Sequence, residues 1–332
     1  MVSQTPEIHF QVHRQENQAT VSLPNRLSIL EAVAFKTTGH QLIQSDPVPE
    51  KILLNFGETT FIDSSGIGAL ISIVKTAKTE DIEVILQRVN AQVMAVFSLT
   101  SLDQVLTIEK NTEETVSTRT EPVNKQLPVT HPSVQSWVKR MIDIVGSIVG
   151  LVITGLLFFP LAIAIKLDSS GPLFFGQIRC GWMGKRFRMW KFRSMDPDAE
   201  ARKSEVKNEA EGAIFKSSND PRITRVGRFL RKTSLDELPQ FWNVLKGEMS
   251  LVGTRPPTPD EVERYEVPQW QRLDVKPGMT GEWQVNGRSE VKSFEDIIRL
   301  DLKYQENWSL MYDIKLIIRT VLILFRKNSG AM

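Results

Sequence analysis

Cysteine and histidine are scarce in this chain, and their positions exclude several kinds of site. Cys180 is the only cysteine, so an intrachain disulfide is excluded and a thiolate metal cage is not expected. The histidines are His9, His13, His40 and His131, so residues 132–332 contain none. Any chemistry in that C-terminal part therefore has to use carboxylates, lysine or arginine.

The chain also lacks an excess of one charge and an apolar leader. It has 41 Lys and Arg residues against 39 Asp and Glu residues, so no bulk positive charge indicates nucleic acid as a partner. Residues 1–6 are polar and contain no apolar signal region, and we therefore expect the N-terminus to stay in the cytoplasm. A length of 332 residues is enough for two domains, each with its own core.

Long uncharged apolar runs are few as well, and the main one covers 22 residues, from 144 to 165. This length suits a membrane element better than a core helix. Pro160 interrupts the run late and would remove a helical hydrogen bond there. Lys139 and Arg140 precede the run and Lys166 follows it, so the positive charges give no clear orientation.

These features predict a re-entrant hairpin over residues 139–167, formed by two helices with a break at Pro160 and both ends in the cytoplasm. Asp143 lies at the entrance to the hairpin and is expected to pair with Arg140 or another cation. The alternative is an ordinary transmembrane helix that is kinked at Pro160, because proline is tolerated within membrane helices.

Strand and helix patterns alternate in residues 1–110, the first predicted domain. Residues 51–56 and 83–86 are compact apolar strand candidates, and helical patterns separate them, as is typical of an α/β domain. Residues 111–135 are polar, contain three prolines and are interpreted as a linker. The remaining residues, 136–332, form the second predicted domain.

Two adjacent carboxylates in the second domain, Asp236 and Glu237, directly follow a basic run. Ser234 and Glu237 match the capping box of a helix N-terminus, although Pro239 would then clash with the preceding turn. Even as caps, the carboxylates would be favoured in their ionised form at a positive helix end. An ionised aspartate can also attack phosphorus and form an acyl phosphate. The spacing alone leaves both interpretations open.

Arginines recur at every third position before this pair: Arg222, Arg225, Arg228 and Arg231. On a helix they would share a drifting stripe that suits either phosphate oxygens or anionic lipid headgroups. Other candidate cations are Lys191, Arg255, which two following prolines hold in a turn, and Arg288, which ends a glycine-rich loop. Each is also compatible with ordinary turn chemistry.

Several motifs between residues 137 and 330 resemble, in the same order, those of the bacterial sugar transferases, the monotopic phosphoglycosyl transferases that begin polysaccharide assembly. They are Lys139-Arg140-x-x-Asp143, Lys191-Phe-Arg-Ser-Met195, Thr224 to Gln240, Leu251-Val-Gly-x-Arg-Pro256, Pro277 to Gln284 and Asn307-Trp-Ser-Leu310. The resemblance implies an α-rich α+β, membrane-monotopic domain. Its expected reaction is transfer of a sugar 1-phosphate from a nucleotide sugar, with UDP the expected nucleotide, to polyprenyl phosphate.

The resemblance also implies roles for individual residues. Asp236 would be the nucleophile that forms a covalent aspartyl-phosphosugar intermediate, and Glu237 would be its partner, with Mg²⁺ bound at the pair. The basic residues that would bind phosphate and substrate are Lys191, Arg231, Arg255 and Arg288. The expected location is the cytoplasmic face of the bacterial inner membrane, where the product would start exopolysaccharide assembly.

Two positions depart from the family pattern. Phe159 stands before Pro160 where the family usually has serine, which removes a hydroxyl that could satisfy backbone groups at the break. Thr254 stands before Arg255 where the family usually has proline, so the loop that carries Arg255 is expected to be less rigid.

Residues 60–68, with Asp63, Ser64 and Ser65 at their centre, resemble the strand–loop–helix signature of STAS domains, the fold of anti-sigma-factor antagonists. The resemblance covers roughly residues 8–110 and implies a mixed sheet with helices. It makes Ser65 a candidate phosphorylation site, since phosphate is favoured at a helix N-terminus. The alternatives are that Ser64 or Ser65 only caps the helix, and that the module docks a protein partner or forms a homodimer.

Two functions from different classes are compatible with the sequence. The first is a membrane-bound phosphoglycosyl transferase with a fused STAS domain. The second is a membrane-anchored regulatory module, in which the STAS domain binds a partner and the C-terminal part is only an anchor. The positioned arginines and glycine-rich loop favour the enzyme. No residue identifies the sugar, so glucose, galactose and N-acetylated sugars all stay open.

Overall fold

The computed structural model describes residues 8, 10–109, 129–206, 208–209, 217, 220–287 and 293–325. Their backbone contacts divide the chain into two compact units. The first consists of Met1–Thr130, Met183–Lys185 and Tyr265–Asp274, and the second consists of His131–Trp182, Arg186–Arg264 and Val275–Met332. Most of the predicted linker and Arg288 lie outside the described residues.

The first unit is built on a mixed five-stranded sheet with the order β1-β2-β4-β6-β7. These strands are β1 (Gln11–Gln15), β2 (Gln18–Ser22), β4 (Lys51–Asn55), β6 (Glu83–Gln87) and β7 (Thr107–Ile108). Only β1 and β2 are antiparallel, and the other neighbours run parallel. Strands β3 (Arg26–Leu27) and β5 (Phe61–Ile62) form a separate parallel pair.

Three helices cover this sheet, namely α1 (Ile29–Ile43), α2 (Ser64–Thr79) and α3 (Ala91–Thr100). Helices α1 and α2 can pack closely because residue 39 is glycine. A Cβ atom there would lie only 2.5 Å from Ile73 Cδ1. The core between sheet and helices is apolar and includes Ile52, Leu54, Leu70, Leu86 and Phe97. The predicted α/β domain with a mixed sheet is confirmed.

The second unit begins with a short helix, α4 (Pro132–Gln135), followed by the long helix α5 (Trp137–Asp168). Helix α5 has 32 residues, which corresponds to about 48 Å, and its most apolar stretch has a mean hydropathy of 2.7. By length and composition it is the one helix among the described residues that could cross a membrane.

Helix α5 differs from the predicted pair of helices with a break, because its helical hydrogen bonding continues through Pro160. Proline removes a single N–H donor from a helix, and membrane helices tolerate this loss. Residues after the proline are also held in place, since Leu161 and Ile165 are buried against Phe192 and Leu230.

The polar residues at the start of α5 bind the rest of the second unit. Lys139 Nζ forms a buried ion pair of 2.6 Å with Asp313 and donates to the Val252 carbonyl at 2.9 Å. Arg140 donates to the carbonyls of Val244 and Leu245, which end a later helix.

Asp143 does not pair with a cation as predicted. Its Oδ1 atom accepts hydrogen bonds from Ser250 Oγ and from the Leu251 backbone N–H, both at 2.8 Å. Arg140 instead donates to the carbonyls at the C-terminal end of a later helix, whose partial negative charge attracts a guanidinium. The three polar residues before the apolar run therefore attach α5 to the unit.

The remaining elements of the second unit are mostly helical. Strands β8 (Phe174–Cys180) and β9 (Arg186–Phe192) form an antiparallel hairpin, and β10 (Ser250–Val252) pairs in parallel with β11 (Gly278–Thr280). The helices are α6 (Arg225–Lys232), α7 (Gln240–Lys246), α8 (Pro259–Val262), α9 (Glu282–Gly287), α10 (Phe294–Glu306) and α11 (Leu310–Phe325).

Loss of the Lys139 cation should destabilise the second unit strongly. In Lys139→Met, Asp313 would keep a charge in a site where its side chain is only 3% exposed, which costs roughly 3 kcal/mol or more. The matched control is Lys246→Met, which breaks an ion pair to Glu248 whose lysine is 47% exposed. Chemical unfolding in detergent should show a much lower midpoint for Lys139→Met alone, and equal midpoints would contradict the proposed anchoring.

Candidate functional site

The two candidate carboxylates lie on a short 3-10 helix, Leu235–Glu237, between α6 and α7. Ser234 before them has a left-handed φ of 56° and makes no side-chain cap hydrogen bond, so the capping box is not formed. Helix α7 begins only after Pro239, and the predicted proline clash therefore does not arise. Apolar packing holds this turn in place, since Leu235 and Leu238 pack on the cluster that contains Leu230 and Phe192.

Lys191 connects the two carboxylates. Its Nζ atom lies 3.0 Å from Glu237 Oε1 and 3.9 Å from Asp236 Oδ2. Asp236 is buried, with 5% of its surface exposed, whereas Glu237 and Lys191 are partly exposed. A buried carboxylate next to a reachable cation is compatible with a nucleophile whose charged form must be stabilised.

Strand β9 carries Lys191, and α7 holds this strand in register. Asn243 on α7 accepts a hydrogen bond from the Trp190 N–H at 3.1 Å and donates to the Arg188 carbonyl at 2.7 Å. Asn243 is fully buried, so its amide replaces the strand partner that β9 lacks on this side. The position of Lys191 thus depends on a side chain that the sequence did not single out.

Arg231, at the end of α6, is the member of the arginine series that lies within electrostatic range of both carboxylates. Its Nε atom donates to Ser194 Oγ at 2.9 Å. Burial lowers the pKa of Arg231, while the negative charges of Asp236 and Glu237 act in the opposite direction. Helix α6 can approach Ser194 only because residue 227 is glycine, as a Cβ atom there would lie 2.0 Å from the Ser194 carbonyl oxygen.

The other predicted cations have different functions. Arg222 lies before α6 and forms a buried, two-pronged ion pair with Asp220, with contacts of 2.8 and 2.6 Å. Arg225 and Arg228 are exposed on α6. Arg193 points away from Lys191 and donates to the Ser169 carbonyl at the end of α5. The predicted arginine stripe is therefore divided between a structural ion pair, the surface and the site.

Arg255 is held by Glu261 in a fork of two hydrogen bonds, of 2.7 and 3.0 Å. The preceding Thr254 is buried, and its carbonyl accepts a hydrogen bond from Gly278 N at 2.8 Å. Backbone pairing thus holds Thr254, the residue that stands where the family usually has proline.

Arg179 on β8 is a charged residue that the sequence analysis missed. Burial and the Arg255 charge lower its pKa to about 10, and the charges of Glu261 and Glu237 partly offset this effect. Arg179 therefore lies within electrostatic range of both the Arg255 loop and the carboxylate pair. The alternation of residues along the strand could not identify Arg179 as a site residue, because an arginine is equally expected on an exposed strand face.

The carboxylate pair has the chemistry of a partial Mg²⁺ site. No group of three or more His, Cys, Asp or Glu side chains that could hold a metal is present among the described residues. Mg²⁺ commonly binds one or two carboxylates and completes its shell with substrate phosphates and water. Asp236 and Glu237 fit that mode, in which the ion would arrive with a phosphorylated ligand.

Ser65 in the first unit is fully buried in the first turn of α2, and its Oγ atom has no hydrogen-bond partner among the described residues. The helix is capped by Asp63, which accepts from Gly66 N at 3.0 Å, so the prediction that Ser64 or Ser65 is the cap is wrong. Segment Tyr265–Asp274 of the same unit covers this turn, and a Cβ atom on Gly68 would meet the Trp270 ring at 2.6 Å.

Two buried carboxylates meet at this turn of α2. Asp274 Oδ1 accepts a hydrogen bond from Ser64 N at 3.0 Å. Burial raises the pKa of Asp63 to about 6, and burial together with the Asp63 charge raises that of Asp274 to about 7. Folding therefore favours protonation of the pair, and the resulting stability is present below the ordinary aspartate pKa and is lost as the pH rises through 6 and 7.

Comparison with known proteins divides the chain in a similar way. Residues 134–327 match the bacterial sugar transferase family, and residues 9–116 match the STAS domain. The chain is 52% identical over 185 residues to the galactosyl transferase CpsE of Streptococcus agalactiae, covering 55% of this chain and 41% of that protein.

Two further relatives match the same part of the chain. Identity is 45% over 200 residues to the undecaprenyl-phosphate galactose phosphotransferase of Salmonella typhimurium, covering 58% of this chain and 42% of the relative. The chain is also 42% identical over 190 residues to the UDP-glucose:undecaprenyl-phosphate glucose-1-phosphate transferase of Escherichia coli. This match covers 55% of this chain and 39% of the relative. This chain thus matches less than half the length of these relatives.

A solved structure of a putative anti-sigma factor antagonist from Thermotoga maritima resembles the N-terminal part. It is 26% identical, covers 32% of this chain and 89% of its own, and has a TM-score of 0.28.

Removal of one buried carboxylate should change the pH dependence of stability. Asp274→Asn can keep the hydrogen bond from Ser64 N but carries no charge, so the variant should melt a few degrees above the wild type at pH 8 and close to it at pH 5. Thermal melting of the full chain at both pH values measures this difference. The control Glu58→Gln removes an exposed carboxylate and should change neither value. Parallel pH profiles for the wild type and Asp274→Asn would contradict the assignment.

Proposed function

Because the chain belongs to the bacterial sugar transferase family, we propose that it transfers a sugar 1-phosphate from a UDP-sugar to undecaprenyl phosphate. The names of the Salmonella typhimurium and Escherichia coli relatives describe this reaction with galactose and glucose. The structural observation that carries the proposal is the buried Asp236 beside Lys191, with Arg231 in the electrostatic range of the pair. An anchor without activity would not need a buried carboxylate between two cations.

In the proposed first step, a carboxylate oxygen of Asp236 attacks the β-phosphorus of the UDP-sugar. The new bond is an acyl phosphate, and the bond between the β-phosphorus and the bridging oxygen breaks, so that UMP leaves with the electron pair. In the second step, an oxygen of undecaprenyl phosphate attacks the same phosphorus. This releases the Asp236 carboxylate and yields undecaprenyl diphosphate sugar, which would start glycan assembly.

The cations near Asp236 support this proposal. Lys191 reaches both carboxylates and can follow a phosphate oxygen when the substrate binds, because a lysine amine is a mobile point charge. Arg231 is orientated by Ser194 and offers a fixed fork. Asp236 and Glu237 would hold Mg²⁺, whose charge would help to offset the negative charge of the phosphates. Arg288 is also proposed to bind substrate.

The proposed membrane arrangement rests on the two faces of α5. One face is buried in the second unit at two places, at Lys139, Asp143 and Gly150 in the first half and at Leu161 and Ile165 in the second. The opposite face exposes large apolar side chains, among them Val145, Val152, Leu156, Phe159, Ile163 and Leu167. Attachment of both parts of the helix to one folded body supports an arrangement in which both ends lie on the same side of the bilayer. We therefore propose a monotopic protein on the cytoplasmic face of the inner membrane.

The STAS domain is proposed to be an interaction module. The turn that contains Ser65 is covered by the segment Tyr265–Asp274, so a partner or a kinase would have to displace that segment before reaching the serine.

Asp236→Asn should abolish sugar-phosphate transfer, with a loss of roughly a thousandfold or more, because an amide oxygen is a poor nucleophile toward phosphorus. The assay is UMP release by membrane-embedded protein with undecaprenyl phosphate and either UDP-galactose or UDP-glucose. The control Asp260→Asn changes an exposed carboxylate on α8 and should keep full activity. Normal turnover by a folded Asp236→Asn protein would refute the nucleophile assignment.

Cysteine labelling tests the membrane arrangement. In a Cys180→Ala background, cysteines at the exposed positions Gln135 and Ser170 flank α5 on its two sides. Both should react with an impermeant maleimide in inside-out vesicles and be protected in intact cells. If the two positions were labelled from opposite sides, α5 would cross the bilayer and the proposed arrangement would be wrong.

A further inference from the structure

Arg179 on β8 holds the loop that carries Arg255. Its Nη1 atom donates to the Pro256 carbonyl at 2.8 Å, and the next residue, Cys180, donates its backbone N–H to the Pro257 carbonyl at 2.8 Å. Two successive carbonyls of the loop are thus bonded to two successive residues of the strand. Neither proline can itself donate a hydrogen bond, so these carbonyls are the groups through which the loop can be fixed.

The guanidinium of Arg179 is itself orientated on its other side. Its Nε and Nη2 atoms donate to Gln177 Oε1 at 3.0 and 2.6 Å. One side-chain amide thus receives two of the five donors, and a third reaches the loop. An arginine that is fixed at several points loses little additional entropy when a ligand binds nearby.

Glu261 completes the arrangement on the far side of Arg255. It accepts from both terminal nitrogens of Arg255 and also from Thr258 N at 3.1 Å. Burial alone would raise the pKa of Glu261, but the charges of Arg255 and Arg179 and these hydrogen bonds lower it to about 2. Glu261 is therefore charged throughout the physiological range, bonded to the Arg255 guanidinium and attracted by that of Arg179.

Arg179 also lies within electrostatic range of the carboxylate pair. Arg179 experiences repulsion from Arg255 and attraction from both Glu261 and Glu237. Glu237 in turn contacts Lys191 at 3.0 Å. Arg179 thus joins the Arg255 loop to the carboxylate pair electrostatically, and an anionic ligand bound between them would relieve the repulsion between the two arginines.

We propose that Arg179 is a positioning residue for the diphosphate of the sugar donor: it fixes Arg255 through the Pro256 carbonyl and adds a positive charge to the same anion site. This inference rests on the proposed transfer reaction and assigns a role to a residue in the β8 strand, outside the carboxylate pair. A purely structural Arg179 would need the hydrogen bond to Pro256 and would not need the charge.

The variants Arg179→Lys and Gln177→Ala separate these two contributions. Lysine can still donate to the Pro256 carbonyl but loses the fork to Gln177. Burial beside Arg255 should lower the pKa of the introduced lysine below its ordinary value. Its positive charge would then be lost progressively as the pH rises from 7 to 9, whereas Gln177→Ala keeps an arginine that stays charged over this range.

The experiment measures initial rates of UMP release from UDP-galactose and UDP-glucose at pH 7, 8 and 9, with undecaprenyl phosphate in nanodiscs. We expect Arg179→Lys to raise the KM for the donor about tenfold at pH 7, with a smaller change in kcat, and to lose further affinity at pH 9. Gln177→Ala should raise the KM less and keep the wild-type pH profile. The control Arg188→Lys, on the adjacent strand and exposed, should match the wild type.

The possible results distinguish this inference from the proposed function. A wild-type protein that transfers no sugar phosphate would refute the proposed reaction and this inference with it. A wild type that is active while folded Arg179→Lys keeps its KM and pH profile would refute the inference alone. A raised KM without any new pH dependence would show that Arg179 acts through its hydrogen bonds only, and would overturn the charge part of the proposal.

Discussion

Helix α5 is bound to the second unit both at its start and near its end, and the charged site depends on that attachment. At the start of the helix, Lys139 and Asp143 bind the backbone of β10, the strand that leads into the loop with Arg255. At the end, Leu161 and Ile165 pack on Leu230 and Phe192, which directly adjoin Arg231 and Lys191. The apolar helix is therefore also the support on which the cations of the site are arranged.

This arrangement explains why an apolar helix carries buried charge at one end. A buried ion pair such as Lys139 with Asp313 adds little net stability over an apolar pair, but it permits only one register of α5 against α11. A shift by one residue would separate Lys139 from both Asp313 and the Val252 carbonyl. The cost of misplacing these charges thus fixes the position of the helix, and with it the distance between the Arg255 loop and the carboxylate pair.

Much of the fold could be predicted because its signals are local. The alternation of strands and helices in the first unit, the apolar length of α5 and the carboxylate pair at 236 and 237 all follow from short patterns. The break at Pro160 is not observed, because packing of Leu161 and Ile165 can offset the hydrogen bond that the proline removes. The pairing of Asp143 with a backbone N–H, and the division of the arginine series, depend on contacts between residues distant in sequence.

The same reasoning applies to the residues that sequence analysis missed. Arg179, Asn243 and Glu261 hold loops or strands by bonds to backbone groups or to a loop arginine, and nothing in their own neighbourhood in the sequence distinguishes them from surface residues. Their importance appears only when the groups that they bind are known. The proposed catalytic pair can thus be found from its motif, whereas the groups that orient the neighbouring cations require the structure.

The central claim is that Asp236 forms a covalent bond to the phosphosugar, and single-turnover UMP release without any lipid acceptor tests it most directly. The account predicts a rapid burst of UMP that approaches the amount of protein, together with a phosphosugar on the peptide that contains Asp236, which hydroxylamine removes. Wild-type protein that releases UMP only when undecaprenyl phosphate is present, and that never carries an adduct, would show direct transfer to the lipid and contradict the account.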